Sequence, residues 1–134
     1  MQPQATVLAV EDDDGAYYIL QIAFKQVRQP FRLVRVSDGQ DALAFLRQQG
    51  KYKDAPRPAL VLLNLNLPKV NGFEVLEAIK QDPQLRDIPT IIFTSSKLNS
   101  DRAKCMALGA TDFIVKPDNF DDVVSAVKSA CARA

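Results

Sequence analysis

Glu11 with Asp12, Asn64, Thr94 with Ser95, and Lys116 each end or follow a short apolar run of the chain. Two adjacent carboxylates invite a divalent cation, and magnesium takes a few oxygen ligands and keeps several waters. A hydroxyl and an ammonium beside such a metal are what a phosphoryl group needs to balance its charge. That chemistry requires all four positions to lie on one rim. Each has a plainer reading of its own. Thr94 alone is a strand-end hydroxyl bonded to backbone, and Lys116 alone is a solvated lysine. Asn64 is a turn amide bonding nearby backbone, a role compatible with a place in the site. Acids after the first run can cap a helix, the role assigned here to Asp13 and Asp14. Glu11 and Asp12 are assigned to the site, because Thr94 and Lys116 should end on the same rim.

The elements that must position these residues follow from the apolar pattern. Ala59–Leu63 is apolar on both parities, as a strand buried on both faces of a parallel sheet must be. Asn64 stands at its end, within the stretch Ala59 to Pro68. Thr6–Val10, Phe31–Val36, Thr90–Thr94 and Asp112–Val115 supply four more strands. Arg32 and Arg35 place the Phe31–Val36 strand at a sheet edge, where charge blocks unwanted pairing.

Helices fall between the strands. The first carries Ala16, Leu20, Ala23, Phe24 and Val27 and stops at Gln29-Pro30. The second follows a cap in Ser37-Asp38-Gly39, carries Ala42, Phe45 and Leu46, and stops at Gly50. The third follows Asn71-Gly72, carries Phe73, Leu76 and Ile79, and ends at Pro83. The fourth is capped within Asn99-Ser100-Asp101, holds Ala103, Met106 and Ala107, and closes at Gly109. The fifth carries Phe120, Val123, Val124, Val127, Ala130 and Cys131.

Five strands alternating with five helices over short links require right-handed parallel crossovers. The expectation is a three-layer α/β sandwich with strand order 2-1-3-4-5. Ligands of such folds bind beyond the carboxyl ends of the strands, where the strand order reverses. Residues 1–134 read as one domain, with no internal repeat and no output domain.

Composition narrows the function further. The chain of 134 residues is 47% hydrophobic and 25% charged, with a net charge of +1. That balance provides no basic face for nucleic acid or an anionic membrane. No apolar run approaches the ~18 residues of a membrane-spanning helix, and Met1 to Thr6 lacks the regions of a signal peptide. Cys105 and Cys131 both lie in helical patterns and read as buried thiols. A cytoplasmic location follows as the expectation. The chain contains no histidine. This excludes imidazole general bases, Ser-His and Cys-His nucleophile pairs and histidine metal ligands, and the chain cannot carry a phosphohistidine.

Taken together, V-E-D-D at Val10 to Asp13, L-L-N-L-N-L-P at Leu62 to Pro68, N-G at Asn71-Gly72, F-T-S-S at Phe93 to Ser96, L-G-A at Leu108 to Ala110 and V-K-P at Val115 to Pro117 resemble a two-component response-regulator receiver domain. The resemblance covers nearly the whole chain. Asp54 to Pro58, and Gln81 to Pro83 through Ile88-Pro89, are similar to the single-domain regulators associated with bacterial phytochromes. The resemblance implies a flavodoxin-like receiver fold. Glu11 and Asp12 would hold magnesium, joined by the backbone carbonyl of Asn66 and weakly by Asn64. Thr94 would bind a phosphoryl oxygen and shift on activation. Lys116 would pair with the phosphoryl group, oriented by a cis peptide to Pro117. Phe113, a core residue by its own pattern, would occupy the aromatic switch position.

Asn64 departs from the family pattern, which has the phosphoryl-accepting aspartate there. An amide lacks an anionic oxygen to attack phosphorus, and its nitrogen lone pair is delocalised. Asn66 is also an amide, so a register shift does not supply the acid. Magnesium binding should weaken, and the cation-free site should lose like-charge repulsion.

Two functions remain, neither of them that of a conventional enzyme. One is a receiver module that cannot be phosphorylated and signals by docking. The other is a phosphorylatable receiver, taking phosphate from a histidine kinase with magnesium, present as an acceptor-site variant. The partners implied are a histidine kinase of phytochrome-like type and a downstream protein, with self-association no stronger than a weak homodimer. A flavodoxin-like flavin protein shares the layer order but ranks far below these two functions, because Glu11 to Asp14 would repel a phosphate. With nothing after Ala134, output is expected to pass through association at the fourth helix, fifth strand and fifth helix.

Overall fold

A computed structural model describes residues 4–27 and 31–134. The helix stop assigned to Gln29-Pro30 lies outside them. Five strands, β1 (Ala5–Val10), β2 (Phe31–Val36), β3 (Leu60–Leu63), β4 (Thr90–Thr94) and β5 (Asp112–Val115), alternate with α1 (Asp14–Phe24), α2 (Gly39–Leu46), α3 (Gly72–Gln81), α4 (Asn99–Leu108) and α5 (Phe120–Cys131). The strands form one parallel sheet in the order β2-β1-β3-β4-β5, as the alternation requires. The observed topology is the expected flavodoxin-like one.

Side chains alternate across a strand, and the core divides accordingly. Val7, Ala9, Leu60, Leu62, Ile91 and Phe93 pack against Leu20, Ala23 and Phe24 of α1 and Val123 and Val127 of α5. Leu8, Val10, Val61, Leu63 and Ile92 face Ala42, Phe45, Val75, Leu76, Ile79 and Cys105 on α2, α3 and α4. β3 is buried throughout, whereas the edge strand β2 is mostly half-buried. Arg35 of β2 blunts that edge. It binds Asp14 at 2.7 Å and the Glu11 carbonyl at 2.8 Å, and its guanidinium lies over the Tyr17 ring.

Several local expectations change. α2 ends at Leu46 rather than running to Gly50. Gln48 takes the left-handed conformation (φ 55°), its side chain reaches the Ala55 carbonyl, and Gly50 opens a short 3-10 turn to Tyr52. The chain thus turns before its glycine. In α4 the capping position is Leu98, which has no capping side chain, and neither Asn99 nor Ser100 caps. Ser96 substitutes from outside the helix, accepting from Leu98 N and donating to Asp101 Oδ2. The buried face of α4 also differs from the expected one. Ala103, Met106 and Ala107 are exposed, while Cys105 is fully buried and Asp101 and Leu108 are half-buried. At about 3.6 residues per turn the observed face lies nearly opposite the expected one. Asp13 and Asp38 cap their helices as expected, and Asn71 and Asn119, to which the sequence reading gave no capping role, also accept from a first-turn N–H. Gly109 closes α4 in the left-handed region (φ 103°).

Both cysteines are buried free thiols. Burial pushes each up to about 11, with Asp101 adding to the rise at Cys105. No described helix is long and apolar enough to cross a membrane.

Candidate functional site

The sheet's hydrogen-bond ladder runs one residue past the strands, and this fixes the rim. Glu11 N–H donates to the Val36 carbonyl, Asn64 N–H to Val10 and Lys116 N–H to Thr94. Three side chains of different chemistry are thereby aimed from β1, β3 and β5 toward one another.

Glu11 is the hub. It is only 2% exposed. Its Oε1 accepts from Lys116 Nζ at 2.5 Å, and its Oε2 accepts from Asp13 N at 3.2 Å and Asn64 Nδ2 at 3.1 Å. A buried carboxylate needs such company, since an unpaired charge in the interior costs several kcal/mol. Asn64 Nδ2 also approaches Asp12 Oδ1 at 3.4 Å and the Asn66 carbonyl at 3.5 Å. Asn64 is 7% exposed, and its Oδ1 has no hydrogen-bond partner. Leaving such an acceptor unsatisfied costs about 1–3 kcal/mol.

The sequence-selected residues divide into those brought into contact and those held nearby. Glu11, Asp12, Asn64, the Asn66 carbonyl and Lys116 form one network. Thr94 is fully buried, and its Oγ1 accepts from Ser96 N at 3.2 Å, the backbone role open to any strand-end hydroxyl. Phe113 is buried in the core beneath α4, with Arg102 above its ring at 5.7 Å and bonded to its carbonyl at 3.4 Å. The expected cis peptide to Pro117 is absent: no cis peptide occurs among the described residues. Trans is the default even before proline, and Lys116 reaches Glu11 with that geometry.

Sequence reasoning missed the groups that hold the loop after β3. A Cβ on Gly72 would lie 2.3 Å from the Asn64 carbonyl oxygen, and one on Gly39 would lie 1.8 Å from the Val70 carbonyl oxygen. Both glycines let backbone pass where no side chain fits. Gly72 N–H closes the loop onto the Leu65 carbonyl. Lys69, at φ 66°, sets its ammonium 3.6 Å from buried Asp38. Asp38-Gly39 and Asn71-Gly72 signal turns in sequence, but close approach between two distant loops has no local signature.

The Glu11 and Asp12 carboxylates and the Asn66 carbonyl are hard oxygen donors of the kind magnesium takes. They converge on an amide nitrogen, which cannot ligate a cation. The unpartnered Asn64 Oδ1 is the oxygen that such a donor set lacks. These residues fit a divalent cation if the amide presents that oxygen.

The sheet order and this rim agree with a wider likeness. Residues 7–128 match the response regulator receiver domain. The chain belongs to that family. Receivers of this kind serve two-component signalling. The chain is 38% identical over 126 residues to the response regulator Rcp1 of Synechocystis, covering 94% of this chain and 86% of Rcp1. The manganese-bound form of Rcp1 superposes with a TM-score of 0.87 at 38% identity, covering 95% of this receiver and 91% of that chain. A phosphorylated cyanobacterial phytochrome response regulator, RcpA, gives a TM-score of 0.89 at 37% identity, with coverage of 95% and 91%.

Proposed function

We propose that this receiver is a docking module of two-component signalling in which Asn64 stands at the phosphoacceptor position and phosphorylation does not occur. One observation carries the reading: the side chain between the two acids is an amide, bonded through its nitrogen to Glu11 and Asp12. A carboxylate there would offer an anionic oxygen to phosphorus, and the amide offers none. Thr94 and Lys116 would be phosphoryl-contact positions, with Thr94 and Phe113 as the switch. Glu11, Asp12, the Asn66 carbonyl and Asn64 would hold magnesium, which when bound would balance phosphoryl charge. No catalytic residue is assigned.

The test is incubation with acetyl phosphate and magnesium, followed by intact mass. No adduct is expected, and a stoichiometric phosphate adduct lost on base treatment overturns the reading. The alternative is a phosphorylatable receiver present as an acceptor-site variant. Its support is that Glu11, Asp12, Thr94 and Lys116 are all present around Asn64.

Without an acceptor, only a ligand that prefers one state can bias the switch. The partner proposed is a histidine kinase of phytochrome-like type or a downstream protein, in the cytoplasm, with neither nucleic acid nor membrane involved. Its proposed docking or homodimer face is α4–β5–α5, where Leu98, Met106 and Phe120 are exposed. The free protein should be a monomer or weak homodimer. Calorimetry and sedimentation with the kinase should be indifferent to a phosphoryl-mimicking fluoride complex. A sharp rise in binding or self-association with that complex and magnesium defeats the docking-module reading.

A further inference from the structure

We propose that the Asn64 carboxamide is a two-position group. Its nitrogen fills the seat of a divalent cation when none is bound, and the amide turns over to present Oδ1 when one enters. The inference rests on the reading of this rim as a receiver site and deepens it.

Glu11 Oε2, Asp12 Oδ1 and the Asn66 carbonyl surround Nδ2 at 3.1, 3.4 and 3.5 Å. Two of these oxygens belong to ionisable acids, and an amide nitrogen has two protons to share among them. It supplies a small part of the positive charge that the three oxygens call for. The opposite orientation would press Oδ1 against both carboxylates, so a cation-free rim selects nitrogen inward. That choice leaves Oδ1 buried and without a partner. The site therefore holds a donor where a cation would sit and an unused oxygen on the same side chain.

A cation reverses both preferences. The amide nitrogen cannot ligate, because its lone pair is delocalised, whereas the carbonyl oxygen can. Half a turn about the Cβ–Cγ bond exchanges the two atoms, and that torsion is broad and roughly two-fold in asparagine. Cation binding and the Nδ2 contacts to Glu11 and Asp12 are then mutually exclusive. An aspartate has no such choice, since both its oxygens are acceptors. The turn also sets an N–H group where Oδ1 now has no partner. The apparent cation affinity is reduced by the fraction of time the amide spends turned.

The experiment is a magnesium chloride titration of the ¹⁵N-labelled protein, following the Asn64 side-chain NH2 signals, which are assigned by their loss in Asn64→Asp. Without magnesium these protons should exchange slowly with water. With magnesium they should shift as their contacts to Glu11 and Asp12 break, in step with the backbone amide signals of Asp12 and Asn66. Asp12→Asn, at an exposed position, should abolish the whole response. Backbone shifts with the Asn64 NH2 signals unchanged overturn the proposal. The absence of any magnesium response overturns it too, and would make the amide a fixed plug. Neither result depends on whether acetyl phosphate leaves an adduct, so this inference and the docking-module reading fail separately.

Discussion

At the carboxyl rim of the sheet, Glu11, Asp12, Asn64 and Lys116 are held by one another, and the hub of the network is almost fully buried. At the amino rim, exposed side chains are tied to main-chain carbonyls instead. Arg57 reaches Gln84 O at 2.5 Å and Gln48 reaches Ala55 O at 2.6 Å, beside a cleft of about 350 Å³ lined also by Arg47 and Asp82. The two rims belong to the same five strands but should respond differently to change. A network of charged side chains is altered by any change in the charge of one member, and burial magnifies the effect. A side chain bonded to a carbonyl at the surface can be replaced by water at little cost.

Asn64→Asp tests that contrast most strongly. The variant should pass from no adduct to a stoichiometric, base-labile phosphate adduct with acetyl phosphate and magnesium, read by intact mass. If it gains neither magnesium binding nor an adduct, a further defect lies in Thr94, Lys116 or the loop geometry, and the rim has been misread. Lys116→Met should come next. It leaves Glu11 buried without its cation and should cost about 3 kcal/mol in urea unfolding. Adding Glu11→Gln should recover most of that loss; no recovery would mean that the lysine acts through packing rather than charge.

Gly72→Ala probes the backbone beneath the same rim. Its Cβ has the Asn64 carbonyl oxygen 2.3 Å away, so a loss of roughly 2 kcal/mol is expected from forced displacement. A neutral result would show that the loop after β3 yields easily and does not hold Asn64 in place. Arg57→Ala at the amino rim should change stability by less than about 0.5 kcal/mol. A loss comparable to that of Lys116→Met would remove the distinction between the rims.

Much of the architecture was legible because burial writes itself into short patterns. An apolar run on both parities, as in Leu60–Leu63, has few homes other than the middle of a parallel sheet, and the arginines of β2 marked an edge. The buried face of α4 was not legible, because its apolar residues are few and mostly small. Ala103 and Ala107 drive no face inward, and Cys105 decided the phase instead. α2 ends ahead of Gly50, the expected stop, because Gln48 takes the left-handed conformation first.

The sequence by itself determined the membership of the rim. Residue type and position at the strand ends select Glu11, Asp12, Asn64, Thr94 and Lys116, because a parallel sheet sends all its carboxyl ends the same way. Only the tertiary structure decided who binds whom. Lys116 takes Glu11, Thr94 takes the backbone of Ser96, and the Asn64 amide turns its nitrogen to the acids and leaves its oxygen alone. Such choices depend on differences of a few tenths of an ångström in the contacts between residues as many as 105 positions apart. Hydrogen bonds weaken steeply over that range, and no local pattern in the chain encodes it.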